Sequence, residues 1–314
     1  MSNNFFDKQV RLFKALDPIH IGTGGYRMDR VDNSILRDVD DIPKIPGTSI
    51  SGAVRSYAAM AEDKITCGGT GTCDDEDCPV CHTFGFTKDS KSIKGLVSFY
   101  DALILLYPVS TMAGPVWITT IDRINNFLLE LGLESISDYP SLGDNNYFPL
   151  EEGIVSANGL NLGWLLLDEA KDKKHSTLTE KIAKFKTNTK EHLDSKILDR
   201  IVIVNNKVFK QVVNDNLEIR TSVAIDPMTG AAEEGALFTY EAIPRTTIFS
   251  SVTVISNPSY FANNIENMDK AKNIVKSGFQ YLEHLGLGGM STRGFGRMTH
   301  SSISVKKEEE SKDE

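Results

Sequence analysis

"RVDNSILRDVDDIPKIPGTSISGAVR", residues 30–55, decides how the rest of the chain is read. It opens with Asp32, Asp38, Asp40 and Asp41 and closes on a glycine-serine turn that launches a helix carrying Arg55. From Ile50 the apolar residues Ile50, Ala53, Val54, Tyr57, Ala58 and Ala61 recur at helical spacing, so one face of this helix meets a core. Thr48 or Ser49 is placed to cap it. Carboxylates repel a polyanion, whereas a helix N-terminus attracts one. A segment with both features predicts two adjoining surfaces of opposite preference.

Upstream, residues 8–16 read as a first strand and 17–25 as a glycine-rich loop. Downstream, 95–110 and 114–120 read as paired strands, 121–132 as a short helix and "RIVIVN" as another strand. The alternation around "DPMTG" in 218–244 marks a hairpin. Helical spacing returns from Ile265 to Leu282, with Gly286 as terminator, and a last strand follows. The order strand, helix, strands, strands, helix, strand predicts an α+β fold of ferredoxin-like type. Residues 1–305 read as one domain. Segment 66–86 is a small insertion, 135–200 an irregular one with a lysine-rich helical patch at 178–190, and 306–314 a disordered charged tail.

The 314 residues carry a net charge of −9, which argues against a simple duplex-binding protein but not against a local basic groove. No basic start leads into an apolar run, and no apolar stretch reaches membrane-spanning length, so the expectation is a cytoplasmic protein with no membrane partner.

Cys67, Cys73, Cys78 and Cys81 are the only cysteines, all within fifteen residues. In a reducing compartment such spacing points to metal rather than disulfides. Glycines and Pro79 supply the tight turns that tetrahedral zinc needs, so a closed structural Zn2+ site is expected, with His82 as an alternative ligand to one cysteine. Free thiols in a loop are the plainer reading. Two glycine-rich stretches remain. "GTGG" (22–25) does not open a helix and is no dinucleotide fingerprint. "GLGGMSTRGFGR" (286–297) interleaves Arg293 and Arg297 with glycines, which lets backbone N–H groups approach phosphate; a C-cap and turn would use the same glycines.

Together "VDNSILRD", "IPGTSISGAVR", "CPVCHTFG", "VSFYDALILLYPVSTMAGPVWIT", "IDPMTGAAEEGALFTYEAIPRTTIF" and "GLGGMSTRGFGRM" resemble the RAMP superfamily of CRISPR proteins. The likeness is to the repeating backbone subunit of type III effectors, in its type III-B (Cmr module) form, and leaves out 135–200 and the tail. It implies an RRM-like palm with finger and thumb elements. It also implies head-to-tail stacking of copies on a CRISPR RNA beside other type III effector subunits, and cleavage of complementary target RNA at regular intervals. The family's catalytic aspartate falls on Asp32, with His20, Tyr240 and Glu241 as helpers. Guide contacts fall on Gly22, Thr23 and Gly24, on Thr48, Ser49, Ser51 and Arg55, and on Gly288, Gly289, Met290, Ser291, Thr292, Arg293 and Gly294. Two departures stand out. Ser51 occupies the place of a phosphate-binding lysine, and "DNSI" lacks the family's proline.

RNA cleavage without a protein nucleophile uses the neighbouring 2′-hydroxyl, and one carboxylate suffices as base or as ligand of Mg2+ or another divalent cation, given in-line geometry. The bland alternatives are an Asp-Asn turn at Asp32, a strand-end histidine at His20, and an acidic loop in which Asp38 pairs with Arg37. Asp29 is the nearest rival carboxylate. A subunit that binds guide RNA without cutting is the alternative function. A stand-alone zinc enzyme is disfavoured by the absence of a nucleophile–histidine–acid set.

Overall fold

The computed structural model describes residues 5–24, 31–69, 73, 75, 77–88, 91–137, 139, 141–151, 159–170, 175–261 and 263–305. Gly25, Asp29 and the 306–314 tail therefore lie outside the described residues. The strands are β1 (Phe6–Ala15), β2 (Lys44–Ile45), β3 (Phe86–Lys88), β4 (Lys91–Ile93), β5 (Val97–Phe99), β6 (Ala102–Val109), β7 (Val116–Thr119), β8 (Asn146–Pro149), β9 (Leu160–Leu162), β10 (Leu165–Glu169), β11 (Ile201–Ile203), β12 (Glu218–Ile225), β13 (Ala232–Ala242), β14 (Ile248–Ser256) and β15 (Met298–Ser304). The helices are α1 (Gly47–Ala61), α2 (Pro79–Phe84), α3 (Ile121–Glu130), α4 (His175–Thr189), α5 (Ser195–Leu198), α6 (Asn206–Asp215), α7 (Met268–Gln280) and α8 (Leu282–Leu285).

The main sheet begins β15-β1-β14-β6. With α1 after β1 and α7 after β14, this is the ferredoxin order 4-1-3-2, all antiparallel. The sheet then continues through β7, β11, β8, β10 and β9. Residues 135–200 are thus not simply an irregular insertion: β8, β9 and β10 from this segment lengthen the sheet, and α4 covers the expected lysine-rich patch. Short three- to five-residue strands carry too little alternation to be read from sequence. Strand β14, a central member, and α6 also go unread, although α6 shows Val208, Phe209, Val212 and Val213 at helical spacing.

Alternation along β1 sorts the two cores. Val10 and Leu12 point to the layer of α3 and α4, while Phe13 and Ala15 point to that of α1 and α7. Along β6, Leu105 and Leu106 both join the α3 layer. The pairing explains this: Ile248 faces Leu106 and Phe249 faces Ile104, so Leu105 is an extra, bulged residue.

Helix α1 starts differently from expectation. Its N-cap is Pro46, with no side-chain cap from Thr48 or Ser49, and the Asp101 carboxylate accepts from the Gly47 N–H at 2.9 Å instead. Helices α1 and α7 touch at Gly278, where an added Cβ would lie 2.3 Å from the Val54 carbonyl oxygen. Gly278→Ala is expected to force the helices apart and lower stability by about 1–3 kcal/mol despite alanine's better helix propensity. A urea midpoint equal to wild type would contradict this.

Candidate nucleic-acid interface

Three loops converge beyond the end of β1. Residues 21–23 pair with 34–36: the Leu36 N–H donates to the Ile21 carbonyl at 2.8 Å, and Gly22 bridges Ile35. The 31–35 segment lies along β13, with Asn33 N–H on the Thr239 carbonyl at 3.0 Å and Glu241 N–H on the Asn33 carbonyl at 3.1 Å. The 286–297 loop closes the group through Gly289 N–H on the His20 carbonyl at 2.9 Å and Gly296 N–H on the Pro18 carbonyl at 3.0 Å. Gly288, at φ +89°, passes so near that a Cβ would lie 2.6 Å from the His20 oxygen, so a side chain there is excluded twice.

Asp32 is exposed at this junction. Its Oδ2 accepts from the Thr239 N–H at 2.7 Å and the Thr239 hydroxyl at 2.9 Å, while the Asp32 N–H reaches Thr239 Oγ1 at 3.1 Å. The Thr239 backbone bond, and then the hydroxyl bond, hold the Asp32 carboxyl below the ordinary aspartate value. The side chain is therefore a fixed anion at neutral pH. It is a weak base, but well suited to electrostatic work or a hard cation.

His20, Tyr240 and Glu241 are not assembled around that carboxylate. All three are buried. His20 Nδ1 lies 2.6 Å from the Glu241 carbonyl, and its ring meets Tyr240 edge-on. Tyr240 packs on Phe238 and Phe295. The Glu241 carboxylate pairs with Arg37 at 2.8 Å and accepts from Ile35 N–H at 3.4 Å. As placed, these side chains brace the loop that presents Asp32. Arg37 thus pairs with Glu241 and, at 3.6 Å, with Asp41, whereas Asp38 faces Lys44. Thr239 is the residue that the sequence reading missed; its signal was its place beside "YE" on an alternating strand.

Among the expected backbone contacts, Gly22, Thr23 and Gly24 lie in the described part of the first loop. Gly288, Gly289, Ser291, Thr292, Arg293 and Gly294 are exposed, and Met290 is half-buried at φ +63°. Leu287 and Phe295 are the buried anchors on either side. Arg293 donates to Ser222 Oγ at 3.3 Å, which leans the loop on the β12–β13 hairpin; Arg297 is held by Asp17.

Helix α1 departs from the expected guide surface. Thr48 is exposed and Ser49 and Ser51 are partly so, but the helix start already holds the Asp101 carboxylate. Arg55 turns to the cysteine loop, donating from Nε to the Cys67 carbonyl and from Nη1 to the Gly85 carbonyl, both at 2.8 Å. It therefore clips both ends of that loop onto α1. Arg55→Ala is expected to lower the thermal midpoint, since charge-assisted hydrogen bonds contribute about 1.5–3 kcal/mol each. A variant that loses guide affinity at unchanged midpoint would overturn this assignment.

The four cysteine sulfurs lie within 4.8 Å of one another, with Cys67 and Cys78 3.5 Å apart. A tetrahedral ion with sulfur ligands at about 2.3 Å requires S···S edges of about 3.8 Å. The donor set therefore fits a metal ion. Burial pushes the Cys67 thiol up to about 12, so a bound cation would have to supply the balance for thiolate. His82 stands apart: its Nδ1 faces the Asn264 N–H at 3.3 Å, and the four-ligand group is all cysteine.

The RAMP superfamily model matches residues 12–299. The chain belongs to the RAMP superfamily. Within this superfamily it is similar to the CRISPR system Cmr endoribonuclease Cmr4 of Pyrococcus furiosus, at 29% identity over 77% of this chain and 79% of that one. It is also similar to the Cms endoribonuclease Csm3 of Methanothermobacter thermautotrophicus, at 38% identity over 24% of this chain and 32% of that one. Among solved RAMP folds, oligomeric Cmr4 from P. furiosus matches with TM-score 0.65 at 23% identity, covering 96% of this chain and 100% of that one. A type III-B Cmr-beta complex bound to cognate target RNA matches with TM-score 0.67 at 16% identity, covering 95% and 98%. No helix among the described residues is long and apolar enough to cross a membrane.

Proposed function

We propose that this RAMP protein is a repeating backbone subunit of a type III-B CRISPR effector, assembled with further copies of itself and other effector subunits on a CRISPR RNA, and that it cleaves complementary target RNA. The observation that carries the reading is one exposed, rigidly oriented carboxylate, Asp32, near a glycine-rich loop of mostly exposed residues, in a chain similar to an endoribonuclease over 77% of its length.

In the proposed reaction the 2′-oxygen of the target bonds to phosphorus as the bond to the 5′-oxygen breaks. The 2′-proton departs and the leaving 5′-oxygen gains one, giving a cyclic phosphate and a 5′-hydroxyl. Both Thr239 bonds fall on Oδ2, which leaves Oδ1 outside them for the reacting hydroxyl or for a bound cation. Mg2+ or another divalent ion at that carboxylate would neutralise the charge that develops on the phosphate. The exposed residues of the 288–294 loop would take guide phosphates, and the Cys67, Cys73, Cys78 and Cys81 set would hold a structural zinc. The test is target cleavage by the guide-loaded complex, wild type against Asp32→Ala, with and without added Mg2+. Bound but uncut target in both proteins would leave a guide-binding scaffold.

A further inference from the structure

We propose that Thr239 is a positioning residue for Asp32: its hydroxyl, with its own backbone N–H, sets the carboxylate orientation needed for cleavage. The inference rests on the reading of Asp32 as the cleaving carboxylate.

Asp32 sits in a segment with no helix or long strand of its own. Left to itself, an exposed aspartate side chain samples several rotamers. Here one residue meets it three times. Thr239 donates twice to Oδ2 and accepts from the Asp32 N–H through the same hydroxyl oxygen. The closed pattern fixes both the backbone and the carboxylate plane. Thr239 is itself held in register, because its carbonyl receives the Asn33 N–H and Glu241, two residues on, is locked by Arg37. Strand alternation does the rest. Thr239 and Glu241 share one face of β13 and both meet the 31–35 segment, Thr239 at the exposed Asp32 and Glu241 at the Ile35 N–H, while Tyr240 on the other face packs on Phe238 and Phe295. Only serine and threonine offer a hydroxyl that can donate and accept at this reach.

Small displacements of a reacting group cost large factors in rate without altering affinity. Thr239→Val keeps the shape and the backbone bond but removes the hydroxyl. In the reconstituted guide-loaded complex it is expected to slow single-turnover target cleavage by about 10- to 100-fold, with the target dissociation constant and thermal midpoint unchanged. Thr239→Ser, which restores the hydroxyl, is expected to cleave within a few-fold of wild type. A Val variant as fast as wild type would overturn the inference, as would a Ser variant as slow as Val. Loss of target binding or of stability in step with rate would assign Thr239 a merely structural role and also overturn it. Asp32→Ala, run beside them, separates the two levels. If that variant still cuts, the reading of Asp32 fails; if it does not cut while Thr239→Val does so normally, only the positioning role fails.

Discussion

Asp32→Ala is expected to abolish regular target cleavage, lowering the rate by a factor of about 10²–10⁴, while guide loading and target binding persist. The expectation follows from where the side chain spends its contacts. The carboxylate is exposed, and its bonds are to Thr239 of the β12–β13 hairpin rather than to the main sheet or the helices. Removing it leaves the register of 31–35 on β13 to the backbone bonds of Asn33 and Glu241. Assembly should therefore be indifferent to the change. Gel analysis of labelled target in wild-type and variant complexes at equal occupancy is the measurement. Undiminished cleavage by the variant would move the chemistry to another carboxylate or another subunit.

Replacing Cys78 and Cys81 together by serine is expected to produce the largest loss of stability. Structural zinc contributes about 10–16 kcal/mol in isolated finger peptides, and even a third of that is a large fraction of a domain's margin. In this protein the cluster is not a detached appendage. Arg55 ties it to α1, Phe84 stacks on Phe99 at 6.1 Å, and Phe99 meets Phe279 of α7. The backbone at Gly85 and Gly95 comes so close that a Cβ on either would meet the other segment within 2.8 Å. The variant should melt well below wild type and lose about one equivalent of zinc by elemental analysis. An unchanged midpoint with no metal in the wild type would make these four residues ordinary thiols.

Most of the ferredoxin-like core, though not β14, was legible in the sequence because β1, α1, β6, α7 and β15 are each seven or more residues long and α1 and α7 repeat apolar residues at helical spacing. The sheet extension was legible only at β7 and β11, because β8, β9 and β10 are three to five residues long and take their conformation from neighbours. Motif reading reached the neighbourhood of the site, through the "VDN" turn, the glycine loop and the cysteines. It could not tell an exposed polar side chain from a buried one. His20 and Glu241 look like chemistry in a sequence, yet His20 stands against the Glu241 carbonyl and Glu241 neutralises Arg37 within the fold. Arg55 looks like a phosphate ligand until its guanidinium is seen on two carbonyls. Burial is a long-range property, set by whichever distant segment packs on the residue.

The pairing of β1 with both β14 and β15 also bears on how the chain is made. Gln9 pairs with Ser304, nearly the whole length of the chain away, and the Leu16 N–H waits for the Arg297 carbonyl. Contacts of such separation close slowly, since the loop between them must first be ordered. During synthesis the hairpin that carries Thr239 precedes the 286–297 loop and β15. The junction of the three loops is therefore completed last. A nascent chain holds Asp32 before it holds the loop proposed to grip an RNA, so on the proposed reading competence to engage a guide would be a late event in translation.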